Sequence, residues 1–196
     1  ESGMKGSSAE VFQHEIPGGQ YSNLKSQAIA LGLGNQFEEI KDRYVEVNDL
    51  FGDIVKVTPS SKVVGDMAQY MVANQISKED IFTRGDQISF PDSVVSFFMG
   101  ELGQPEGGFP EELQRIILKD KTPQTGRPNQ YLLPLDLDVD FKVFKRRFGK
   151  DLPYTSYLSY KFYPKVTEDY IRMFRQYGDL DVIPTKYFLF GMQPGA

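Results

Sequence analysis

Apolar residues recur in steps of three and four from Phe37 through Ile40, Tyr44 and Val47 to Phe51. That spacing draws one continuous stripe along a helix. A second stripe follows at Val63, Val64, Met67, Ala68, Met71 and Val72, with Lys62, Asp66 and Gln69 off it. Upstream, Leu24, Ala28 and Leu31 share a face, which predicts a helix capped by Ser22 or Asn23 after a Pro17-Gly18-Gly19 turn. Gly32 and Gly34 are placed to end it, and Asn35 to cap its successor. Two helices joined by so short a glycine turn predict an antiparallel pair. Further helices are expected over SKEDIF with Ser77 as cap, from Pro91 or Asp92 to about Gly100, and over 111–119.

Between the helices the pattern breaks. Gly52-Asp53 ends the second, and the β-branched Ile54, Val55 and Val57 predict extended chain. Thr58 precedes proline, which disfavours helix at Thr58 itself, whereas Pro59 suits a first helical position. Residues 103–110 form a loop, and the turn-rich KTPQTGRPNQ places a soft boundary near 121–135. The acidic DLDVD run and the following KRR read as a solvated face. The aromatic tail predicts a helix, an interruption at Pro164 and a second helix ending at Gly178. TKYFLFGM alone reads as a long strand. A lone strand needs a partner, so another segment pairs with it or the chain is cut within a hairpin. The fold class expected is mainly α with a small β element.

Composition narrows the function classes. With 40% hydrophobic and 25% charged residues the 196-residue chain is expected to fold around one good core or two small ones. A net charge of −5 argues against a general grip on nucleic acid. No run approaches the roughly 18 apolar residues of a membrane span, and ESGMKGSSAE has no signal-peptide pattern. There are no cysteines, so thiol chemistry is out and a reducing, cytoplasmic setting is expected. The single histidine, His14, cannot form a multi-imidazole metal site and is expected to be a surface or turn residue.

One stretch carries candidate chemistry. In VKVTPSSKVVGD, Lys62 stands where a helix begins, the end at which a cation is unfavourable by about 0.3–1 kcal/mol. Free N–H groups, Thr58, Ser60, Ser61 and Lys62 converge there, as they do where a helix start binds an anion. The plainer alternative is that Thr58 or Ser60 caps the helix while Lys62 extends into water. No Walker glycine precedes the lysine, and PGGQ and LGLG read as turns and caps.

The wording of HEIPGGQYSNL, NDLFGDIVKVTPSSKVVGDMAQYMV, FPDSVVSFFMGELGQP, YPKV and YFLFGM resembles the pyruvate carboxylases over nearly the whole chain. The same segment is shared by oxaloacetate decarboxylase alpha chains and the transcarboxylase subunit, where TPTSQIVG usually replaces TPSSKVVG; Lys62 therefore favours the pyruvate carboxylases. The resemblance implies that residues 1–125 are the helical funnel of a carboxyltransferase barrel domain. It implies that residues 126–196 are an α+β fragment of an allosteric, tetramerisation domain, truncated at its C-terminus. A purely structural oligomer-contact module is the other class kept open. By the same resemblance Thr58 is the catalytic proton shuttle, and Ser61 and Lys62 contact biotin or carboxybiotin. Biotin would be attached to another domain, and the divalent metal and ATP would serve the full-length enzyme without binding here. The family's metal ligands, pyruvate-binding arginines and biotin-attachment lysine have no counterpart in this sequence. The chain alone is therefore expected to be inactive, with the barrel, biotin carrier and biotin carboxylase as partners in a homotetramer, and with no nucleic-acid or membrane partner.

Overall fold

The computed structural model describes residues 9–179 and residue 182. Among these there are ten α-helices, three short 3₁₀ turns and no strand. The expected strand at 186–192 lies outside the described residues. The chain divides into two compact units, Glu1–Leu132 and Leu133–Ala196.

The first unit is organised around α4 (Ser60–Asn74). α3 (Phe37–Leu50) packs most extensively against it, and α2 (Gly18–Ala30) and α6 (Asp92–Phe98) lie against it too. The stripe from Phe37 to Phe51 is wholly buried, as are Val63, Val64, Met67, Ala68, Met71 and Val72. Each such side chain contributes about 1.5–3 kcal/mol relative to exposure. Phe51 meets Phe98 edge-to-face at 5.0 Å, and Phe97 meets Phe109 in the same way at 5.2 Å. α7 (Glu111–Leu118) adds Leu113, Ile117 and Leu118 to this core, and α5 (Lys78–Arg84) adds Ile81.

The sequence expectations for the first helices need correction. α2 begins at Gly18, so Pro17-Gly18-Gly19 opens the helix instead of turning before it. Ser22 lies inside and its hydroxyl donates back to the Gly18 or Gly19 carbonyl. Asn35 does not cap; it sits in a 3₁₀ turn that leads into α3. Gly32 does end the α2 region, at φ 77°, with Leu33 N–H bonding to Ala28 O at 2.7 Å. The antiparallel pairing of α2 with α3 is replaced by the packing of α2 on α4, and α2 touches α3 through an edge-to-face contact of Tyr21 with Phe37 at 5.3 Å. Gly65 makes this possible. A Cβ there would lie 2.6 Å from Gln20 Nε2 and 3.0 Å from Leu24 Cδ1, so the missing side chain lets α2 approach. Gln69, expected off the buried face, is only 4% exposed and donates to Gln27. His14, the last residue of the short α1 (Val11–His14), is 6% exposed and not a surface residue.

The second unit comprises α8 (Leu137–Phe148), α9 (Tyr154–Phe162) and α10 (Pro164–Tyr177), with the interruption at Pro164 and the stop at Gly178 where the sequence places them. Its core is Phe144, Tyr157 and Ile171, flanked by Phe141, Phe148, Leu152, Leu158 and Tyr160. The DLDVD–KRR run is not a uniform solvated face. Asp136 caps α8 by accepting from the N–H groups of Asp138 and Val139, and Asp140 takes Tyr157 Oη at 2.9 Å and Lys161 Nζ at 2.9 Å. Several tail aromatics, among them Phe162, Tyr163, Tyr170 and Tyr177, remain exposed.

Ser77 caps α5 as expected, and the arrangement is reciprocal. Asp80 N–H donates to Ser77 Oγ at 3.1 Å while Ser77 N–H donates to Asp80 Oδ2 at 2.8 Å. These bonds and Arg84 lower the Asp80 carboxyl pKa to about 2, the Ser77 backbone bond first. A depressed carboxylate adds stability that is fully present above its unfolded value and is lost as pH falls through the folded one. Stability should therefore fall from about pH 4 towards about pH 2 partly through Asp80. Asp80→Asn should flatten that portion of the curve in acid titrations followed by circular dichroism. An identical acid limb in wild type and variant would remove Asp80 from the explanation.

Candidate functional site

Neither Thr58 nor Ser60 caps α4: the helix has no side-chain cap hydrogen bond and Ser60 is its first residue, whose hydroxyl turns back to the incoming chain. Ser60 Oγ accepts from Val57 N–H at 3.1 Å and lies 2.6 Å from the carbonyls of Val55 and Val57, to which it gives its single proton. Ser60, not Thr58, thus ties the extended segment to the helix. Thr58 is exposed, its peptide with Pro59 is cis, and among the described residues its hydroxyl has no hydrogen-bond partner. Pro59 precedes the helix instead of occupying its first position.

The N–H groups expected to be free here are mostly engaged. Ser61 N–H donates to Val57 O at 3.1 Å, Lys62 N–H to Pro59 O at 3.0 Å, and Val63 N–H to Pro59 O at 3.3 Å. The partial positive charge of a helix start resides in unsatisfied N–H groups. With these groups bonded, the site's positive character rests on the Lys62 ammonium.

Lys62 is tolerated for a second reason. Its Nζ pairs with Asp66 Oδ2 one turn along α4, and that oxygen also accepts from Ser93 Oγ of α6 at 2.7 Å. The Lys62 side chain is 55% exposed, against 19% for Asp66. Ser61, only 4% exposed, faces inward, and its carbonyl accepts from Tyr44 Oη at 3.3 Å. The structure therefore brings Thr58 and Lys62 to the surface of one helix start and places Ser61 beneath it. Sequence reasoning did not reach Asp66 and Ser93. The four-residue spacing of Lys62 and Asp66 was legible as a helical ion pair; the approach of Ser93 was not.

Beside this helix start lies a cleft of about 460 Å³. Val55, Val57, Pro59 and Ser60 line one part, and Phe97, Leu102 and the 103–106 loop the other. Val55 and Val57 are 76% and 61% exposed. Thr58, Ser61 and Lys62 do not line the cleft. The arrangement offers one free hydroxyl and one ammonium with donors to spare, a set suited to proton relay and to holding an anionic or polar ligand.

Comparison with known proteins supplies the family context. Residues 11–196 match the model of the conserved carboxylase domain. Over 195 residues the chain is 49% identical to pyruvate carboxylase of Bacillus subtilis and 51% identical to that of Staphylococcus aureus, covering 100% of the chain and 17% of each relative. The chain thus spans about a sixth of the length of these relatives. Among solved structures, the carboxyl transferase domain of Rhizobium etli pyruvate carboxylase superposes with a TM-score of 0.87 at 44% identity, covering 100% of this chain and 33% of that one. The same domain with pyruvate and biocytin gives a TM-score of 0.89 at the same identity and coverage.

The site's foundation can be probed through Tyr44. It is fully buried, and burial pushes its pKa up to about 12. A raised pKa means stability that is complete below the unfolded value and is lost as pH rises through the folded one. Tyr44→Phe should cost about 0.5–1.5 kcal/mol near pH 8 by removing the bond to the Ser61 carbonyl. The wild-type advantage should shrink between about pH 10 and 12 as the unfolded tyrosine ionises first. Urea titrations at pH 8 and pH 11 giving the same difference would contradict the assignment.

Proposed function

Because the chain belongs to the conserved carboxylase domain family, we propose that it serves a biotin-dependent pyruvate carboxylase as part of the carboxyltransferase domain. The observation that carries this reading is identity near 50% to pyruvate carboxylases across the full chain, joined to an unbonded hydroxyl and a lysine at the α4 start. The relatives named above carry that name and not that of the decarboxylase or transcarboxylase, and Lys62 of TPSSKVVG agrees with them. Superposition over the full chain on the Rhizobium etli carboxyl transferase domain supports placing both compact units in that domain.

In this reading biotin, attached to another domain, supplies the carboxyl group that converts pyruvate to oxaloacetate. The residues present suit such a group. Thr58 would be the residue that moves the proton between the pyruvate methyl and the bound biotin, a task open to a hydroxyl because it both donates and accepts. Its oxygen is exposed and engaged with nothing among the described residues. Lys62, whose side chain is 55% exposed, would offer its ammonium to a carboxylated, partly anionic ligand. Ser61, nearly all buried, would be the least accessible of the three to such a ligand. The barrel metal, ATP and a homotetrameric assembly belong to the whole enzyme in this proposal.

Thr58→Ala in the full-length enzyme tests it. Oxaloacetate formation should fall by about 10²–10⁴-fold, the usual worth of a positioned proton transfer. ATP-dependent carboxylation of biotin should be spared. Since Thr58 caps nothing, stability should move by less than about 0.5 kcal/mol, as for an ordinary surface change. Thr58→Ser should retain much of the activity. Near wild-type turnover in Thr58→Ala would end the catalytic assignment.

A further inference from the structure

We propose that Asp66 is a positioning residue for Lys62, and that Ser93 anchors Asp66 so that the ammonium is held at the α4 start where a carboxylated ligand would meet it. The inference rests on the reading of Lys62 given above and adds two residues to it. One carboxylate oxygen, Asp66 Oδ2, takes both the Lys62 ammonium and the Ser93 hydroxyl. The two members of the ion pair differ in exposure: 55% for the Lys62 side chain and 19% for Asp66. A sheltered carboxylate is less screened than an exposed one and wanders less. Its anchor is fixed as well. Ser93 lies in α6, whose Val94, Phe97 and Phe98 are buried in the core.

An ordinary surface pair four residues apart needs no third member and contributes little. Here a hydroxyl from 27 residues along the chain closes on the same oxygen. Asp66 engages one of the three donors of the ammonium and leaves two for a ligand. Ser93 shares the accepting oxygen, so the ion pair constrains Lys62 without consuming it. A lysine on a four-carbon stem otherwise samples many positions, and ordering it in advance lowers the entropy lost on binding.

The experiment uses the full-length enzyme and free biotin as probe, measuring biotin-stimulated oxaloacetate decarboxylation. Asp66→Asn should raise the KM for free biotin by about tenfold with kcat changed by less than about threefold, the pattern of lost binding and not lost chemistry. Ser93→Ala should raise it about threefold, and Ser93→Thr should restore it. In a Lys62→Gln background, Asp66→Asn should add less than about twofold, because the two residues act as one unit. Equal effects of Asp66→Asn in both backgrounds would overturn the proposal, as would an unchanged KM. A lowered KM would overturn it too, since a carboxylate that merely competed with the ligand would behave so. If Asp66→Asn fails to fold, the serine pair decides: a raised KM rescued by threonine supports the proposal and an unchanged KM overturns it. Lys62→Gln without effect would remove the reading of Lys62 and the proposal together. A defect in Lys62→Gln with Asp66→Asn silent would remove the proposal alone.

Discussion

Helix α4 is enclosed by α3, α2 and α6, and the first unit is built on that enclosure. Two features of its sequence permit it. The apolar set from Val63 to Val72 wraps around enough of the helix to meet several neighbours, and Gly65 removes the one side chain that would hold α2 away. A narrow stripe would have produced a surface helix packed on one partner. The burial of each of these side chains, about 1.5–3 kcal/mol, exceeds the charge–dipole cost of Lys62, about 0.3–1 kcal/mol. The fold can therefore carry an adversely placed cation without strain on its stability.

The same enclosure gives the helix start its rigidity. Ser61, directly after the first helical residue, is already buried and holds Tyr44 through its carbonyl. Ser60 fastens the incoming extended chain. Just before these two fixed points Thr58 is left outside, its hydroxyl unengaged among the described residues, and just after them Lys62 emerges one turn before its carboxylate. A proton-relaying hydroxyl has to be both available and held in place. Here the holding is done by neighbours, which leaves the hydroxyl itself unspent.

The second unit solves a different problem. With Phe144, Tyr157 and Ile171 as its buried centre it depends on aromatic contacts, such as Phe141 edge-to-face on Tyr154 at 5.0 Å. Tyr157 is buried in full, and its hydroxyl finds Asp140. This is the usual requirement on a buried phenol. The acidic run that looked merely solvated supplies that acceptor and the α8 cap.

Much of this protein was legible along the chain. The stripes of α3 and α4, the Ser77 cap, the break at Pro164 and the stop at Gly178 follow from periodicity and local backbone chemistry, which act over a few residues. The wording around TPSSKVVG marked Thr58, Ser61 and Lys62 as candidates. What sequence could not supply were contacts between residues far apart. Periodicity identifies a buried face without naming the helix that covers it, so the short glycine turn predicts an α2–α3 pair where Gly65 draws α2 to α4. Two serines and a threonine within four residues are near-equivalent caps on paper. None of them caps α4; the path of the 54–57 segment engages Ser60 and leaves Thr58 without a partner among the described residues. The burial of His14, the inward turn of Ser61 and the arrival of Ser93 at Asp66 were likewise settled by packing, because each depends on a partner that local rules do not see.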